Sequence, residues 1–133
     1  MTQDKFNFEL VTPEKVLVSG DVEYVCIPGV EGDMTVFPNH SSVATAIRPG
    51  YLQVKSNENL ETFFLSGGFV EISYNEVIVL AEKAVISSEV TDDILTDLIE
   101  KTDRALEHSS ELQRCVLSKK LNDLTSIKDQ LQK

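Results

Sequence analysis

The sequence predicts a mainly β N-terminal domain with an α-helical tail: an antiparallel β-sandwich over residues 1–87, followed by a two-helix antiparallel hairpin over residues 88–133. Three observations predict this division. In the first part apolar residues alternate with polar ones, as in strands that rest one face on a core. In the second part they recur at steps of three and four, as on one face of a helix. All six Gly and all four Pro precede residue 69, which confines the turns to the first part.

Alternation marks the strands of the first part. Short sets of aromatic and β-branched residues are separated by single residues, and this spacing places one face of a strand on a core. We therefore predict that the side chains of three such sets face the interior of the sandwich. The sets are Phe6, Phe8 and Leu10; Val22, Tyr24 and Cys26; and Val70, Ile72 and Tyr74.

Turn signals separate these strands at short intervals, which is typical of an antiparallel sandwich or barrel. Pro49-Gly50 has the residues of a type II turn. Gly67-Gly68 indicates a tight turn or bulge that requires positive φ, with a phosphate contact as the alternative. The signals lie at Pro13-Glu14, Gly20-Asp21, 28–32, Pro38-Asn39, Pro49-Gly50, 57–59, Gly67-Gly68 and Asn75-Glu76.

Helical spacing begins after Val90, where two apolar stripes predict two helices. Between the stripes, Ser110 and Gln113 match a capping box that would start the second helix. This helix is predicted to end at Leu131 and to measure roughly 33 Å. The stripes contain Ile94, Leu95, Leu98, Ile99, Ala105 and Leu106, and then Leu117, Leu121, Leu124, Ile127 and Leu131.

The two predicted helices differ in charge. Residues 88–111 contain eight acidic and two basic residues, a net charge of −6, whereas residues 112–133 contain two acidic and five basic residues, a net charge of +3. One interpretation is an antiparallel pair whose solvated faces attract each other weakly. The other is that the basic second helix leaves its partner and lies against an acidic surface elsewhere, since a two-helix hairpin buries little apolar area.

Composition excludes several functional classes. The formal net charge of −10 disfavours binding to nucleic acid or to an anionic lipid surface, so the expected partners are proteins. The longest fully apolar run, 77–81, is far shorter than a spanning helix, and direct membrane insertion is not expected. Cys26 and Cys115 are predicted to be free thiols in a reducing cytoplasm.

The sequence contains few candidates for chemistry. It has no phosphate loop and no dinucleotide-binding glycine motif, and two His with two distant Cys make a metal site improbable. Cys26 and His40 could form a thiolate and base pair, but Cys26 lies on an apparent core face, where thiols are usually inert. The segment 28–40 is either a surface loop with a solvated His40 or a protein-docking edge, with Asp33 available to a polar partner loop.

Five strings in the first part carry a family resemblance: 8–14, 27–40, 46–50, 65–71 and 79–82. They read FELVTPE, IPGVEGDMTVFPNH, AIRPG, LSGGFVE and VLAE. Together and in this order they resemble the epsilon subunits of bacterial F-type ATP synthases, whose mitochondrial counterpart is called delta. The architecture of that family, a β-sandwich followed by a helical hairpin, is the one that the periodicity predicts independently.

The resemblance implies a non-catalytic subunit of the central stalk that couples the gamma shaft to the c-ring. Glu31 and Asp33 match the loop that faces the polar loops of the c-ring, and His40 matches a histidine near the gamma contact. The implied location is peripheral, on the cytoplasmic side of the inner membrane. A stand-alone β-sandwich adaptor with a helical interaction tail is the alternative.

In many members of the family the helical hairpin regulates the enzyme, because in its extended form it inserts between gamma and the catalytic subunits. The resemblance therefore implies that basic residues of the second helix meet acidic segments of the alpha and beta subunits and inhibit ATP hydrolysis. The ATP-binding motif of some members has an arginine that 90–96 lacks, so no ATP, other cofactor or metal is expected. The candidate inhibitory residues are Arg114, Lys119, Lys120 and Lys128.

Overall fold

The computed structural model describes residues 5–57 and 59–131, and divides the chain into two compact units, Met1–Ser87 and Ser88–Lys133. In the first unit, the described residues form ten short strands. Their bounds are β1 Phe6–Val11, β2 Val16–Val22, β3 Tyr24–Gly29, β4 Gly32–Val36, β5 Val43–Ile47, β6 Gly50–Ser56, β7 Asn59–Leu65, β8 Gly68–Ser73, β9 Glu76–Ala81 and β10 Ala84–Ile86.

The strands pair in the order β10-β7-β6-β3-β5-β8-β9-β1-β2, and β4 pairs with β3 beside this path. The β-sandwich prediction is confirmed. One pair differs from a purely antiparallel arrangement, because β1 and β9 run parallel, with Asn7 opposite Glu76 and Val11 opposite Leu80. These two strands are far apart in the sequence, so no hairpin turn forces them to be antiparallel.

The core of the sandwich forms from the alternating residues of several strands. Phe6, Phe8 and Leu10 are at most 1% exposed, as their spacing predicts, and Val70 and Ile72 are buried as well. The same cluster contains Val22, Val25, Ile27, Val36, Ile47, Leu52, Val54, Phe63, Leu65, Val77, Val79 and Ala81.

The predicted inward face of β3 is wrong. Val22 is buried at the end of β2, but the chain bends at Glu23, and Val25 then faces the core in place of Tyr24 and Cys26. Because successive strand residues point to opposite faces, an offset of one residue exchanges the two faces. Tyr74 also departs from its set, because β8 ends at Ser73 and Tyr74 lies 60% exposed in the following turn.

Two glycines act in different ways. Gly68 has a φ of +152°, as the prediction of a tight turn or bulge requires, and a Cβ there would lie 2.2 Å from the Leu80 carbonyl oxygen. Gly50 does not have positive φ, so the type II turn predicted at Pro49-Gly50 is wrong. It starts β6, and a Cβ there would lie 2.9 Å from Pro28 Cβ, so this glycine serves close packing.

One other predicted turn is absent, and one lies partly outside the described residues. Gly20-Asp21 is not a turn, because both residues lie inside β2, opposite Phe8 and Asn7 of β1. The turn predicted at 57–59 includes Glu58, which lies outside the described residues.

The second unit contains helices α1 Asp92–Glu107 and α2 Glu111–Leu131, which pack against each other. The Thr91 hydroxyl caps α1 by accepting from the Ile94 N–H at 3.3 Å. The predicted capping box of α2 is confirmed. The Gln113 N–H donates to Ser110 Oγ and the Ser110 N–H donates to Gln113 Oε1, both at 3.4 Å.

Fewer residues of this hairpin are buried than the predicted stripes contain. Leu95 and Leu98 are buried in α1, and Leu124 and Ile127 in α2. Ala105, predicted for the first stripe, is exposed, and the side chain of Leu131 lies outside the described residues. The first turns of α2 have little cover: Leu112 is 89% exposed and Val116 is 68% exposed.

Candidate functional site

The β3–β4 hairpin places two acidic side chains at one tip of the sandwich. Strand β3 ends at Gly29, which is opposite Gly32 at the start of β4, so only Val30 and Glu31 make the turn. Gly32, the first residue after the turn, has a φ of +138°, a conformation that favours glycine. Glu31 lies exposed on the turn and Asp33 lies exposed on β4.

Asp33 has a partner that the sequence did not reveal. The Arg48 guanidinium, in the link between β5 and β6, donates from Nη2 to Asp33 Oδ1. The Asp33 side chain remains 76% exposed, whereas that of Arg48 is only 32% exposed. The tip therefore presents a carboxylate that is already held on one side and open to solvent on the other.

His40 lies in the link between β4 and β5, and it is half-buried. Its ring packs edge-on against Phe6, with ring centroids 5.2 Å apart and an interplanar angle of 89°. Both ring nitrogens are buried and have no hydrogen-bond partner among the described residues. The hypothesis of a merely solvated histidine is thus wrong, and the ring acts here as a packing group.

The thiolate and base pair of the enzyme hypothesis is not formed. Cys26 is half-buried, and its Sγ lies 3.5 Å from Thr35 Oγ1 on the neighbouring strand. His40 makes no hydrogen bond to it. Across residues 5–57 and 59–131, no group of three or more His, Cys, Asp and Glu side chains is placed to hold a metal ion.

The four basic residues predicted for inhibition all lie on α2 but not along one stripe. At about 100° per residue, Arg114 and Lys128 project about 40° apart, while Lys119 is on the side opposite Lys128. Arg114 and Lys119 are exposed, and Lys120 and Lys128 are half-buried.

None of the helices in the described part of the chain combines the length and apolar character needed to cross a membrane.

Sequence reasoning missed an apolar row on the outer face of the sandwich. Strand pairing aligns one residue from each of five neighbouring strands, and three of the five are about half exposed: Phe69 45%, Leu80 53% and Val16 55%. We define the apolar row as Ala46, Phe69, Leu80, Val11 and Val16.

Carboxylates border this row on one side. In the adjacent positions, Glu71 and Glu9 flank Ile78 from either side, and Glu76 and Asp21 follow in the next positions. The sequence signal that could have revealed this row is the uninterrupted apolar run at 77–81. A strand with apolar residues on both faces shows no alternation of apolar and polar residues.

Comparison with known proteins adds the context for these surfaces. The family model described as "ATP synthase, Delta/Epsilon chain, beta-sandwich domain" matches residues 5–87. An ATP synthase epsilon chain from Jannaschia sp. (strain CCS1) is 38% identical over 122 residues, 92% of each chain. One from Sinorhizobium medicae (strain WSM419) is 39% identical over 125 residues, 93% of each chain.

Two solved structures share the fold. A chain of the Euglena gracilis mitochondrial ATP synthase, in an OSCP/F1/c-ring complex, matches 98% of this chain and 84% of its own length, with a TM-score of 0.72 and 19% identity. A chain of the Tetrahymena thermophila mitochondrial ATP synthase, from a central stalk and c-ring structure, matches 67% of this chain and 72% of its own length, with a TM-score of 0.54 and 16% identity.

Proposed function

This chain belongs to the ATP synthase delta/epsilon family, as a non-catalytic epsilon chain, and on that premise we propose that its sandwich couples the gamma shaft to the c-ring. The chain would be peripheral, on the cytoplasmic side of the inner membrane. The observation that carries the proposal is that the sandwich exposes two separate features that suit protein partners. These are the acidic tip at Glu31 and Asp33, and the apolar row with its border of carboxylates.

The acidic tip is proposed to meet the polar loops of the c-ring. Glu31 and Asp33 are exposed at the end of a hairpin whose backbone is fixed by the β3–β4 ladder. Exposed carboxylates on a stiff support favour a partner loop that carries hydrogen-bond donors or positive charge. The two mitochondrial chains of the same fold come from assemblies that include a c-ring, which supports this choice of partner.

The gamma subunit is proposed to cover the apolar row. Phe69, Leu80 and Val16 together expose an apolar strip, and burying half of each would contribute about 1 kcal/mol per side chain. The bordering carboxylates favour a gamma surface with Lys or Arg beside its own apolar strip. His40 is proposed to contribute by holding its loop against Phe6, since its ring nitrogens are buried.

The hairpin is proposed to inhibit ATP hydrolysis by meeting the alpha and beta subunits. The segment 112–133 has a net charge of +3, and the exposed side chains of Leu112 and Val116 lie one turn apart on α2. Such a helix fits an acidic groove with an apolar floor. Arg114, Lys119, Lys120 and Lys128 are the proposed electrostatic contacts.

The test of the gamma contact uses the full chain mixed with gamma on gel filtration. The native chain is expected to co-elute with gamma, and the double variant Phe69→Ser with Leu80→Ser is expected to lose co-elution. Leu60→Ser is the matched control, because Leu60 is 53% exposed, like Leu80, but lies on β7, outside the row. Failure of the native chain to co-elute would favour a stand-alone adaptor instead.

A further inference from the structure

Arg48 is the centre of an arrangement that the proposed c-ring contact leaves unexplained. The Arg48 backbone N–H donates to the Pro28 carbonyl oxygen at 2.9 Å, and the Val30 N–H donates to the Ala46 carbonyl oxygen at 3.0 Å. These two bonds run in opposite directions between the end of β5 and the end of β3. They connect the base of the acidic tip to β5, which lies next to β3 in the sheet.

The Arg48 side chain then reaches over this junction. A Cβ on Gly50 would lie 3.0 Å from Arg48 Nη1 and 2.9 Å from Pro28 Cβ. Since Gly50 does not have positive φ, the space above it is the feature that requires glycine. The guanidinium uses that space and donates from Nη2 to Asp33 Oδ1.

The cation of this ion pair is less exposed than the cations of two ion pairs within α1. Arg48 is 32% exposed, whereas Lys101 and Arg104, which pair with residues of their own helix, are 65% and 75% exposed. A long cation that is free in solvent loses rotamer freedom when it pairs, which makes exposed pairs weak. The neighbours of Arg48 already restrict it, so the pair can hold the direction of Asp33.

We propose that Arg48 is a positioning residue that holds Asp33 in place for the c-ring, in a packing space that Gly50 leaves open. The inference rests on the proposed function, in which Asp33 contacts the c-ring. With 76% of its side chain exposed, Asp33 can accept a donor from a partner loop while it keeps Arg48. Fixing a free side chain on binding costs about a threefold to tenfold loss of affinity, and Arg48 removes that cost.

Loss of Arg48 could also strengthen c-ring binding, which is opposite to the effect of losing the positioning of Asp33. Loss of Arg48 also removes a positive charge beside the carboxylate, which would strengthen its attraction to a cationic loop. Gly50→Ala separates the two effects because it changes no charge. Its added methyl would lie 3.0 Å from Arg48 Nη1, so the guanidinium must shift, and it would also lie 2.9 Å from Pro28 Cβ, so the melting temperature is needed to report strain there. Arg48→Lys keeps the charge but loses the planar fork, so an intermediate affinity is expected.

The experiment measures the affinity of full-length variants for detergent-solubilised c-ring, with gamma co-elution and the melting temperature recorded for each. Arg48→Gln and Gly50→Ala are each expected to weaken c-ring binding about threefold to tenfold without loss of gamma co-elution. Arg104→Gln is the control, because it removes one paired arginine from α1. Asp33→Asn is expected to weaken binding at least as much as Arg48→Gln.

Combining the substitutions identifies positioning. In the Asp33→Asn background, Arg48→Gln is expected to add no further loss, because both changes remove the same interaction. A full additional loss in that background would show that Arg48 supports only the fold, and would overturn the inference. Gly50→Ala and Arg48→Lys give the same decision if Arg48→Gln does not fold.

Two further outcomes distinguish a failure of the positioning role from a failure of the proposed c-ring contact. If Asp33→Asn weakens c-ring binding while Arg48→Gln and Gly50→Ala leave it unchanged, the positioning role is wrong and the proposed c-ring contact stands. If Asp33→Asn and Glu31→Gln both leave binding unchanged, the proposed contact itself is wrong, and the role of Arg48 falls with it.

Discussion

The two units of this chain differ in how they bury apolar side chains. The sandwich has a continuous core to which nearly every strand contributes side chains, and Phe8, Leu10 and Val25 are completely buried. In the hairpin, burial is concentrated at a few positions, and the first turns of α2 leave Leu112 and Val116 exposed. The difference indicates that the sandwich is the stiffer unit and that the hairpin opens at lower cost, as the proposed roles of coupling and inhibition would require.

The largest expected effect breaks the sandwich core. Phe8→Ala removes a fully buried ring and should lower the free energy of unfolding of the sandwich by about 3–5 kcal/mol. Urea unfolding followed by tyrosine fluorescence measures this change, because Tyr24, Tyr51 and Tyr74 all lie before residue 87. The helical circular dichroism transition at 222 nm is expected to stay in place. A common shift of both probes would contradict the comparison.

A smaller and local effect is expected from Leu124→Ala in α2. Leu124 is completely buried, and its truncation should destabilise the hairpin by about 2–3 kcal/mol. The 222 nm transition should therefore move to lower urea while the tyrosine transition does not. Val116→Ala is the matched control, since Val116 is 68% exposed and should move neither.

The next effect concerns the start of α2. Ser110→Ala removes the hydroxyl that accepts from the Gln113 N–H, and the loss of such a cap costs about 1 kcal/mol. Hydrogen exchange should become faster at the amides of the first turn of α2 and remain unchanged in the sandwich. Equal exchange in the variant and the native chain would mean that the capping box does not hold this helix end.

Sequence reasoning succeeded where the signal was local or repeated. The alternation of Phe6, Phe8 and Leu10 predicted the core face of β1, and Ser110 with Gln113 predicted the start of α2. The family resemblance was confirmed by a family match over 5–87 and by relatives that span most of the chain. Each of these features depends on residues that are close together in the sequence or on several strings in a fixed order.

It failed where the outcome depended on contacts between distant segments. A single bend at Glu23 exchanged the faces of β3, and alternation alone does not show where an offset occurs. Gly50 looked like a turn glycine, whereas its function is to leave room for Arg48 and Pro28. The partner of Asp33 is 15 positions away, and no spacing rule for strands connects the two.

The smallest expected effect on stability is also the sharpest test of the comparison. Leu112 and Val116 are so exposed that Leu112→Ser with Val116→Ser should change the free energy of unfolding of the isolated chain by less than about 0.5 kcal/mol. If the exposed turns of α2 are reserved for the alpha and beta subunits, the same variant should raise ATP hydrolysis by the assembled soluble enzyme several-fold. Exchanging Arg114, Lys119, Lys120 and Lys128 for Ala then separates charge from apolar contact, because only the charge effect should fade as salt rises. Unchanged hydrolysis in both variants would mean that the exposed surface of α2 does not serve inhibition, and a stability loss above 1 kcal/mol would mean that these turns are not as free as their exposure indicates.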